Sequence, residues 1–558
     1  MQIIKSFRVV FLFLLPLSVF SQTNYLQPGS KDYILLDRLE IKSANPNLNY
    51  STIKPYSRKL IVKEVEGIDS LINSGDSNAL ALSKVDRYNI DHFLMNNSEW
   101  SKPRESYVSK KAFFNTFYKT KGNLFEVNSD DFFLVINPLI SYQQSVERGN
   151  AQNLFYNSRG VSLRGMIARR VGFNVYLTDN QERDPVYVQQ YISSRNAVPG
   201  NGFYKPFKKT GVDYLDARGS VSFNVAKYID MQFGYDKNFI GAGYRSLTLS
   251  DFSNNALFFK INTRIWKFNY ENLYMELIPQ HSTKNTLLAR KYLRMNHLSI
   301  NPTNWLNVGV FDAVVFGRKG LFDFQYLLPV MFLRAAEQQV GSPDNAVVGM
   351  DAKANIKKTF QLYGQLILDE FILSEIRKNR GFWANKLGYQ LGVKYVDAFG
   401  IKNLDIQLEQ NRVTPFTYSH FDSIANYTHY NQPLAHPLGA NFQEYIGIVK
   451  YQPLNKLYLQ AKLIRYYQGS DTGRSNYGSN PFKLYTTRTK EYGNFVGTGN
   501  KATCNNITLL ASYEVKENLF IDGSLQNRSY KLTSGGNQKS TILSVGFRWN
   551  MARREFDF

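Results

Sequence analysis

Three segments of this 558-residue chain concentrate side chains that could bind a polar ligand. The first, residues 234–255, carries Arg245 in a glycine-containing stretch, and a guanidinium can hold a carboxylate through two parallel hydrogen bonds. The other two, residues 333–351 and 436–444, combine turn-forming residues with donors and acceptors suited to sugar hydroxyls. Their candidate ligand-binding residues are Arg334, Glu337, Asp344, Asn345, His436, Asn441 and Glu444.

The same residues also suit a purely structural role. Arg245 could clamp its own loop, and the other two segments could form packed turns inside a larger fold. Both interpretations stay open from the sequence alone. If the segments bind a glycan, we expect tyrosine rings to stack on sugars, basic side chains to neutralise acidic groups, and the polar side chains to supply directional hydrogen bonds.

Asp369 and Glu370 are adjacent acids that raise the question of hydrolase chemistry. Neighbours on a strand point to opposite faces, so we expect that they do not form a carboxylate pair by themselves. We retain both as candidate glycan contacts, with pairing to arginine as the structural alternative. The sequence has no phosphate-binding glycine loop, and its six histidines lack metal-binding spacing. We therefore expect no enzyme activity, no metal and no cofactor.

The chain is strongly basic and rich in aromatic residues. Its formal charge is +22, of which +20 remains if Lys5 and Arg8 leave with an export signal. This charge favours acidic polysaccharide, lipopolysaccharide phosphates or anionic solutes as partners. The alternative is that much of the charge lies in a solvated lumen. Nucleic acid is not an expected partner, because the protein is expected to lie outside the cytoplasm. The 40 Phe and 37 Tyr suit aromatic girdles at membrane interfaces. The single Cys504 excludes an internal disulfide.

The first residues have the pattern of a cleavable export signal. Two basic residues precede the apolar stretch from Val9 to Phe20, and Ser21 offers a small residue for cleavage. We assign residues 1–21 to this signal. The later apolar stretch 322–333 is too short for a transmembrane helix and contains a proline, so helical anchoring is not expected.

An exported chain can instead cross a membrane as a closed β-barrel. The last strand alternates between a lipid-compatible face and a polar face, formed respectively by Leu543, Val545, Phe547 and Trp549 and by Ser544, Gly546 and Arg548. We expect this strand to end on the aromatic Phe558. The alternative is a strand of a secreted β-sandwich.

Residues 22–110 have helical periodicity instead of alternation. One helix is predicted over Asp32–Lys42 and a second over Ser57–Asn73, with Ser57 as its cap. A third follows Ser83 and Asp86, which have the spacing of a capping box. These elements predict a small periplasmic helical bundle under or beside a barrel.

Residues 111–558 contain repeated apolar alternation in segments of about ten residues, the length that a tilted strand needs to cross a bilayer. Tight turns are predicted near residues 227–228, 301–304, 452–455 and 516–518, and such turns belong on the periplasmic side. Long polar connections, which we predict to be extracellular loops, are residues 180–216, 415–441 and 468–503. The predicted fold is all-β, an outer-membrane barrel of about eighteen antiparallel strands with the helical bundle at its N-terminus.

The chain resembles the Wzi-like capsule-assembly family of outer-membrane proteins, and especially its gliding-bacterium relatives of the RemB type. The resemblance covers nearly the whole mature chain and lies in residues 32–39, 240–255, 341–345 with Asp351, 368–370 and 436–439. It implies a barrel of about eighteen strands with a periplasmic helical bundle, which binds or organises exported polysaccharide without catalysis. Among gliding relatives, it also implies a link with surface motility and adhesion.

We therefore expect a multi-pass barrel in the cell outer membrane that engages surface or capsular polysaccharide and supports capsule assembly, attachment or gliding. Its partners would be acidic polysaccharide or lipopolysaccharide, outer-membrane lipid and envelope proteins. Two alternatives stay open from the sequence. The protein could be a channel whose basic lumen passes anionic solutes, or a structural subunit of an envelope machine for gliding or secretion.

Overall fold

The computed structural model describes residues 23–74, 80–114, 116–280, 287–330 and 332–558. Within these residues, eighteen antiparallel strands close into a single barrel, which confirms the predicted fold class. The predicted export signal, residues 1–21, lies outside the described residues.

The barrel strands follow one another around the wall in chain order, so the sheet is an up-and-down meander. All but one contain ten or more residues, enough for a tilted strand to cross the hydrocarbon core. They are β1 Phe132–Glu147, β2 Leu154–Ile167, β3 Val171–Arg183, β4 Gly211–Ala226, β5 Ile229–Asp236, β6 Ala256–Ile265, β7 Phe268–Leu277, β8 Lys291–Thr303, β9 Leu306–Phe316, β10 Asn345–Ile356, β11 Phe360–Glu370, β12 Lys386–Tyr395, β13 Leu404–Val413, β14 Phe442–Leu454, β15 Leu457–Ser470, β16 Asn500–Lys516, β17 Leu519–Leu532 and β18 Asn537–Trp549.

The barrel closes where its first and last strands meet. β18 pairs with the second half of β1, residues 140–147. The short strand Phe125–Asn128 pairs with residues 133–136 of β1 and so continues the pairing past the end of β18. Closure in this way limits the unpaired edge that an open sheet would present to lipid.

The strand faces divide into a lipid side and a lumen side. Leu543, Val545 and Phe547 of β18 are 57%, 58% and 42% exposed on the outer wall, whereas Ser544 is buried inside. The predicted alternation of this strand is confirmed. An apolar outer face can lie against acyl chains because each strand satisfies its backbone hydrogen bonds through its neighbours.

Three helices precede the barrel: α1 Asp32–Ser43, α2 Arg58–Asn73 and α3 Lys84–Asn96. The Ser57 hydroxyl accepts from the Leu60 amide at the start of α2, and Ser83 and Asp86 form a reciprocal capping box at the start of α3. The predicted starts of these helices are therefore confirmed. Of the helices that the structure describes, none has the length and apolar character needed to cross a bilayer.

The three helices lie against the end of the barrel that carries the short turns. Lys31, just before α1, forms ion pairs with Glu514 and Glu517 at 2.6 and 2.9 Å, next to the β16–β17 turn. Near the other end of α1, Glu40 pairs with Lys353 of β10 at 2.6 Å. Short turns are periplasmic in outer-membrane barrels, so the helices cover the periplasmic mouth.

The long connections lie at the opposite, extracellular end. The three predicted loops are confirmed as residues 184–210, 414–441 and 471–499, and the first contains helix α4 Val186–Arg195. The prediction was incomplete, because other long connections share this end. Residues 237–255 are one, and two more hold the helices α5 Leu333–Gln339 and α6 Leu373–Lys378.

The expectation that the last strand ends on Phe558 is wrong. β18 ends at Trp549, and Asn550 then adopts a positive φ of 55° that reverses the chain. Residues 551–558 run back into the lumen, where Arg554 pairs with Glu182 and Asp557 pairs with Arg245. The charged residues of this segment find opposite charges in the lumen that they would not find along a lipid-facing strand.

The lumen on the extracellular side is filled by a hydrophobic core. Loop residues Leu247, Tyr418 and Leu434 pack against inward-facing wall residues such as Phe258 and Met295. The buried Tyr418 hydroxyl donates to the Leu247 carbonyl at 2.7 Å, which satisfies its polar atom within the core. Two loops are thus fixed to each other and to the wall.

Candidate functional site

Arg245 lies at the tip of the 237–255 loop, deep in the lumen. Its backbone N–H and that of Tyr244 donate to the Glu409 carboxylate of β13 at 3.0 and 2.6 Å. Gly243 makes this approach possible, because a Cβ there would lie 2.5 Å from the same carboxylate. The guanidinium pairs with Asp557 at 3.1 Å and lies 3.5 Å from Glu444.

His436 and Glu444 join Arg245 in one buried cluster. The His436 ring and the Glu444 carboxylate are 2.7 Å apart, and Glu444 also accepts from Asn411 at 3.0 Å. Asn441 lies nearby in the chain, where its amide donates to the Gly469 carbonyl at 2.8 Å. The structure therefore brings together three predicted site residues, all of them with protein partners.

The second group lies apart from this cluster, at the β9–β10 connection. Arg318 forms a bidentate pair with Asp344 at 2.7 Å, and the Tyr326 hydroxyl donates to the same carboxylate. Arg334 pairs with Glu337 at 2.6 Å within α5, with about two fifths of its side chain exposed. Asn345 is buried at the start of β10. These contacts fold the connection onto the barrel.

Asp369 and Glu370 converge on one cation. The Nζ atom of Lys386 lies 3.2 Å from Asp369 and 3.1 Å from Glu370. The expectation that the two acids face opposite sides is wrong, because a register shift between Leu368 and Glu370 marks a β-bulge at the end of β11. Asp369 also accepts from the Tyr418 amide at 2.8 Å, so it fixes the 414–441 loop.

The ten candidates derived from the sequence are thus mostly buried and bonded to protein groups. Their role in glycan binding stays a prediction. The hydrogen bonds and ion pairs within the protein show how these residues stabilise the fold, and they do not test ligand binding. Among the residues that the structure describes, no group of three or more His, Cys, Asp and Glu side chains is arranged to hold a metal ion.

A different group of side chains forms an exposed surface at the extracellular end. Three connections, residues 371–385, 414–441 and 471–499, meet there, and backbone bonds such as Trp383 N–H to the Glu491 carbonyl at 3.0 Å join them. We call this group the loop-end aromatic surface. It consists of Phe382, Trp383, Phe421, Tyr485 and Tyr492.

The rings of this surface contact one another and are covered by cations. The Trp383 and Tyr485 centroids are 4.8 Å apart. The Arg488 guanidinium lies 4.1 Å from the Trp383 centroid, and that of Arg380 lies 4.4 Å from the Tyr492 centroid. These distances are typical of cation–π contacts. Aromatic faces and positive charge are therefore presented side by side.

Solvent reaches this surface. Phe421 and Tyr492 are 44% and 41% exposed, and about half of the Arg380 side chain is accessible. The connections 371–385 and 471–499 together carry seven basic and three acidic residues. An acidic ligand would thus meet aromatic rings and excess positive charge in the same place.

Sequence reasoning missed this surface because residues 371–385 were not predicted to form a loop. The sequence does contain a signal for this surface. Arg380 lies close to Phe382 and Trp383 in a stretch without the alternation of a strand, and a cation beside aromatic residues in a loop could indicate a binding surface. The partners Tyr485 and Arg488 lie about a hundred residues further along, and only the closed barrel brings them together.

The 414–441 loop behind this surface is expected to loosen in acid. Burial lowers the pKa values of His420 and His429 to about 4, and the positive charge of Lys386 lowers that of His420 further. Because these pKa values lie below the unfolded value of 6.5, the neutral rings stabilise the folded loop above about pH 6.5, and this stabilisation is lost as the pH falls towards 4.

Amide hydrogen exchange, corrected for intrinsic rates, checks this expectation. Exchange in residues 414–441 should rise between about pH 7 and pH 4.5 relative to exchange in β16. His420→Phe, which keeps an aromatic ring but cannot be protonated, should weaken the response. An equal pH response in the loop and in β16 would contradict the assignment.

A sequence-family match and a structural match both relate this chain to the capsule assembly protein Wzi. The sequence model of the capsule assembly protein Wzi family matches residues 217–534, more than half of the chain. The whole fold superposes on Wzi of Escherichia coli, an outer-membrane protein and carbohydrate-binding β-barrel involved in group 1 capsule assembly. The TM-score is 0.56 at 14% identity, over 96% of this chain and 100% of that one. A comparison with curated protein sequences gives no match.

A second solved barrel is less similar to this chain. The chain matches OprD of Pseudomonas aeruginosa with a TM-score of 0.41 and 11% identity, over 74% of this chain and 94% of that one. A TM-score this low supports no inference about the lumen. The closed barrel, its apolar outer wall and the family match place the protein in the outer membrane. On this evidence, the chain belongs to the Wzi family of capsule assembly proteins.

Proposed function

We propose that this protein is a non-enzymatic barrel that binds acidic surface polysaccharide at its extracellular end and supports capsule assembly or surface attachment. The observation that carries the proposal is the loop-end aromatic surface with its stacked arginines. Wzi of Escherichia coli is a carbohydrate-binding barrel, which agrees with this function. A role in gliding motility, with envelope proteins as partners, is a finer proposal that rests on the sequence resemblance.

The chemistry of the surface suits a polysaccharide that carries carboxylates. Aromatic rings offer flat apolar faces, and a sugar ring presents an apolar face of C–H groups. Arg380 lies over the Tyr492 ring and pairs with Glu375, and Arg488 lies over the Trp383 ring and pairs with Glu491. These ion pairs fix the guanidinium groups beside the aromatic faces, and the excess of basic residues in the two connections attracts a carboxylate to them. Several weak contacts along one chain would add up to useful affinity.

Removing the rings should weaken binding. We expect Trp383→Ala and Tyr492→Ala each to lower the affinity for an acidic capsular polysaccharide roughly tenfold, the effect of losing one central contact. The measurement is biolayer interferometry with detergent-purified protein and immobilised polysaccharide.

Trp305→Ala is the matched control. Trp305 is 46% exposed at the short turn between β8 and β9, on the periplasmic side, so its loss should leave affinity unchanged. Unaltered heat-modifiability on gels would show that each variant still forms a closed barrel. If the Trp383 and Tyr492 variants bind as strongly as the Trp305 variant, the loop-end aromatic surface is not the binding site.

A further inference from the structure

A chamber of about 590 Å³ lies inside the lumen, between the start of α1 and the segment 551–558. The 237–255 loop forms part of its wall, and the inner faces of β4, β14 and β17 form others. A smaller cavity of about 150 Å³ adjoins it and extends towards α3 at the periplasmic mouth. Ligand sites in proteins commonly enclose roughly 300–1,000 Å³, so the chamber has the size of a binding site.

The chamber is lined by aromatic rings. In the described part of the chain, seven tyrosines and four phenylalanines contribute to its wall. Tyr176 and Tyr214 lie on the β3–β4 side, and Tyr458 lies on the opposite side, near the β14–β15 turn. Tyrosine offers both a flat apolar face and a hydroxyl, the combination that a sugar ring requires.

The lining also carries more positive than negative charge. Nine basic and five acidic side chains line the chamber among the described residues. Several of the basic groups are neutralised by close carboxylates, as Arg218 is by Asp216 at 2.5 Å and Arg554 is by Glu182 at 2.8 Å. The basic groups that have no such partner are the ones that a bound anion could pair with.

Three of the nine basic side chains have no carboxylate within hydrogen-bonding distance among the described residues. Lys450 points inward from β14 and forms no hydrogen bond or ion pair with the described residues, while the carboxylates of Asp37 and Asp405 act on its charge from a greater distance. Among the described residues, the hydrogen-bond acceptors of the Lys237 ammonium group are the main-chain carbonyls of Gly200 and Asp251. Arg553 has two buried nitrogens, Nε and Nη1, without a hydrogen bond, and Nη1 lies 3.7 Å from Glu555.

A buried cation without a hydrogen-bonded carboxylate is costly, because a more distant opposite charge only partly replaces the water that the cation has lost. A bound anion would remove this cost, and a guanidinium with free N–H groups is well suited to a carboxylate. A neutral sugar would fill the space and contact the rings but leave the charge unmatched. An aliphatic ligand would leave the charge of Lys450 and Arg553 unmatched.

We propose that the chamber binds a carboxylated saccharide of one or two rings, with Lys450 and Arg553 holding its carboxylates. This inference rests on the proposed function for its ligand class, but it assigns a second site, inside the lumen and separate from the loop-end aromatic surface. The segment 551–558 supplies Arg553 and one wall of the chamber, which gives that segment a role in binding as well as in filling the lumen.

Isothermal titration of the detergent-purified full-length protein with digalacturonate tests the site. Digalacturonate should bind, and a neutral galactose disaccharide should bind at least roughly tenfold more weakly. Lys450→Met and Arg553→Met should each weaken digalacturonate binding by about tenfold. Lys539→Met, which removes an exposed lysine from β18, is the matched control and should bind like the wild type.

Several outcomes would overturn the assignment: no binding of digalacturonate, equal binding of the neutral disaccharide, or unchanged affinity in both chamber variants. Heat-modifiability of each variant confirms that the barrel is intact. The experiments test the two binding sites independently of each other. Trp383→Ala should weaken binding of long polysaccharide and leave digalacturonate binding intact. If the wild type binds digalacturonate but no polysaccharide, the proposed function falls while the chamber stands.

Discussion

Replacing Arg38 by methionine is expected to release the N-terminal helices from the barrel. Arg38 lies on α1 with only 5% of its side chain exposed. It forms an ion pair with Asp86 of α3 at 2.9 Å and another with Asp397 at 2.9 Å in the β12–β13 turn, and it also contacts Asp405 of β13. One side chain thus connects two helices to the barrel wall.

The expected effect is large because Asp405 would lose its salt bridge, and the carboxylates of Asp86 and Asp397 would share Lys42 as their remaining ion-pair partner among the described residues. Burial raises the pKa of Asp397, but Arg38 and the hydrogen bonds from Lys42 and Arg38 outweigh it and lower the pKa to about 2. The carboxylate is therefore ionised at neutral pH. Removing one member of a buried ion pair costs about 3–5 kcal/mol. The loss weakens the binding of the N-terminal helices to the barrel. The barrel itself should stay stable, because its strands keep their backbone hydrogen bonds.

Limited proteolysis of the folded protein in detergent checks this prediction. Trypsin should cleave within residues 23–110 much faster in the Arg38→Met variant, while the barrel stays heat-modifiable. Arg87→Met is a suitable control, because Arg87 is an exposed residue of α3. Equal cleavage of both variants would show that the apolar contacts of the helices hold them in place without Arg38.

Replacing Lys462 by methionine is expected to displace the segment 551–558 from the lumen. The Lys462 side chain on β15 is 2% exposed and pairs with Glu555 at 2.5 Å and Asp557 at 2.8 Å. The methionine variant would leave two acids near each other without this cation. The expected cost is again about 3–5 kcal/mol. The segment should then move out, because its carboxylates regain water outside the lumen.

Conductance in planar bilayers provides the measurement. We expect the wild type to conduct little, since helices fill the periplasmic mouth, loops fill the extracellular end and residues 551–558 lie between them. Lys462→Met should conduct more, and deletion of residues 551–558 should conduct more still. Lys462→Arg, which keeps the charge, should resemble the wild type.

The same experiment bears on the alternative that the protein is a channel for anionic solutes. A high wild-type conductance with anion preference would favour that alternative. If the deletion variant conducts no better than the wild type, the helices and loops are sufficient to occlude the lumen. In that case the segment 551–558 forms part of the chamber wall but is not needed to block the lumen.

Much of the fold could be predicted because it depends on local patterns. The alternation along the last strand, as in Leu543 and Val545, indicates which side faces lipid. This pattern can be recognised within a single strand, without knowledge of the neighbouring strands. The caps at Ser57 and Ser83 likewise act within one turn of helix. Short turns and long loops then separate the two ends of the barrel by their lengths alone.

The binding residues could not be predicted to the same degree, because polar density does not distinguish a ligand contact from an internal pair. Arg245 was a reasonable candidate by composition, yet its partners Asp557 and Glu444 lie hundreds of residues away in the chain. Asp369 and Glu370 meet at Lys386 only because a β-bulge changes the side-chain direction. Neither fact is visible in the sequence around them.

Local periodicity and composition are enough to predict an all-β barrel with an N-terminal helical segment and an excess of positive charge. The places where that charge acts depend on the tertiary structure. Closure of the barrel brings Trp383 beside Arg488 on the surface and directs Lys450 and Arg553 into the lumen. The physical reason is that strand pairing follows local periodicity, whereas ion pairs and cavities depend on which distant side chains the closed barrel encloses together.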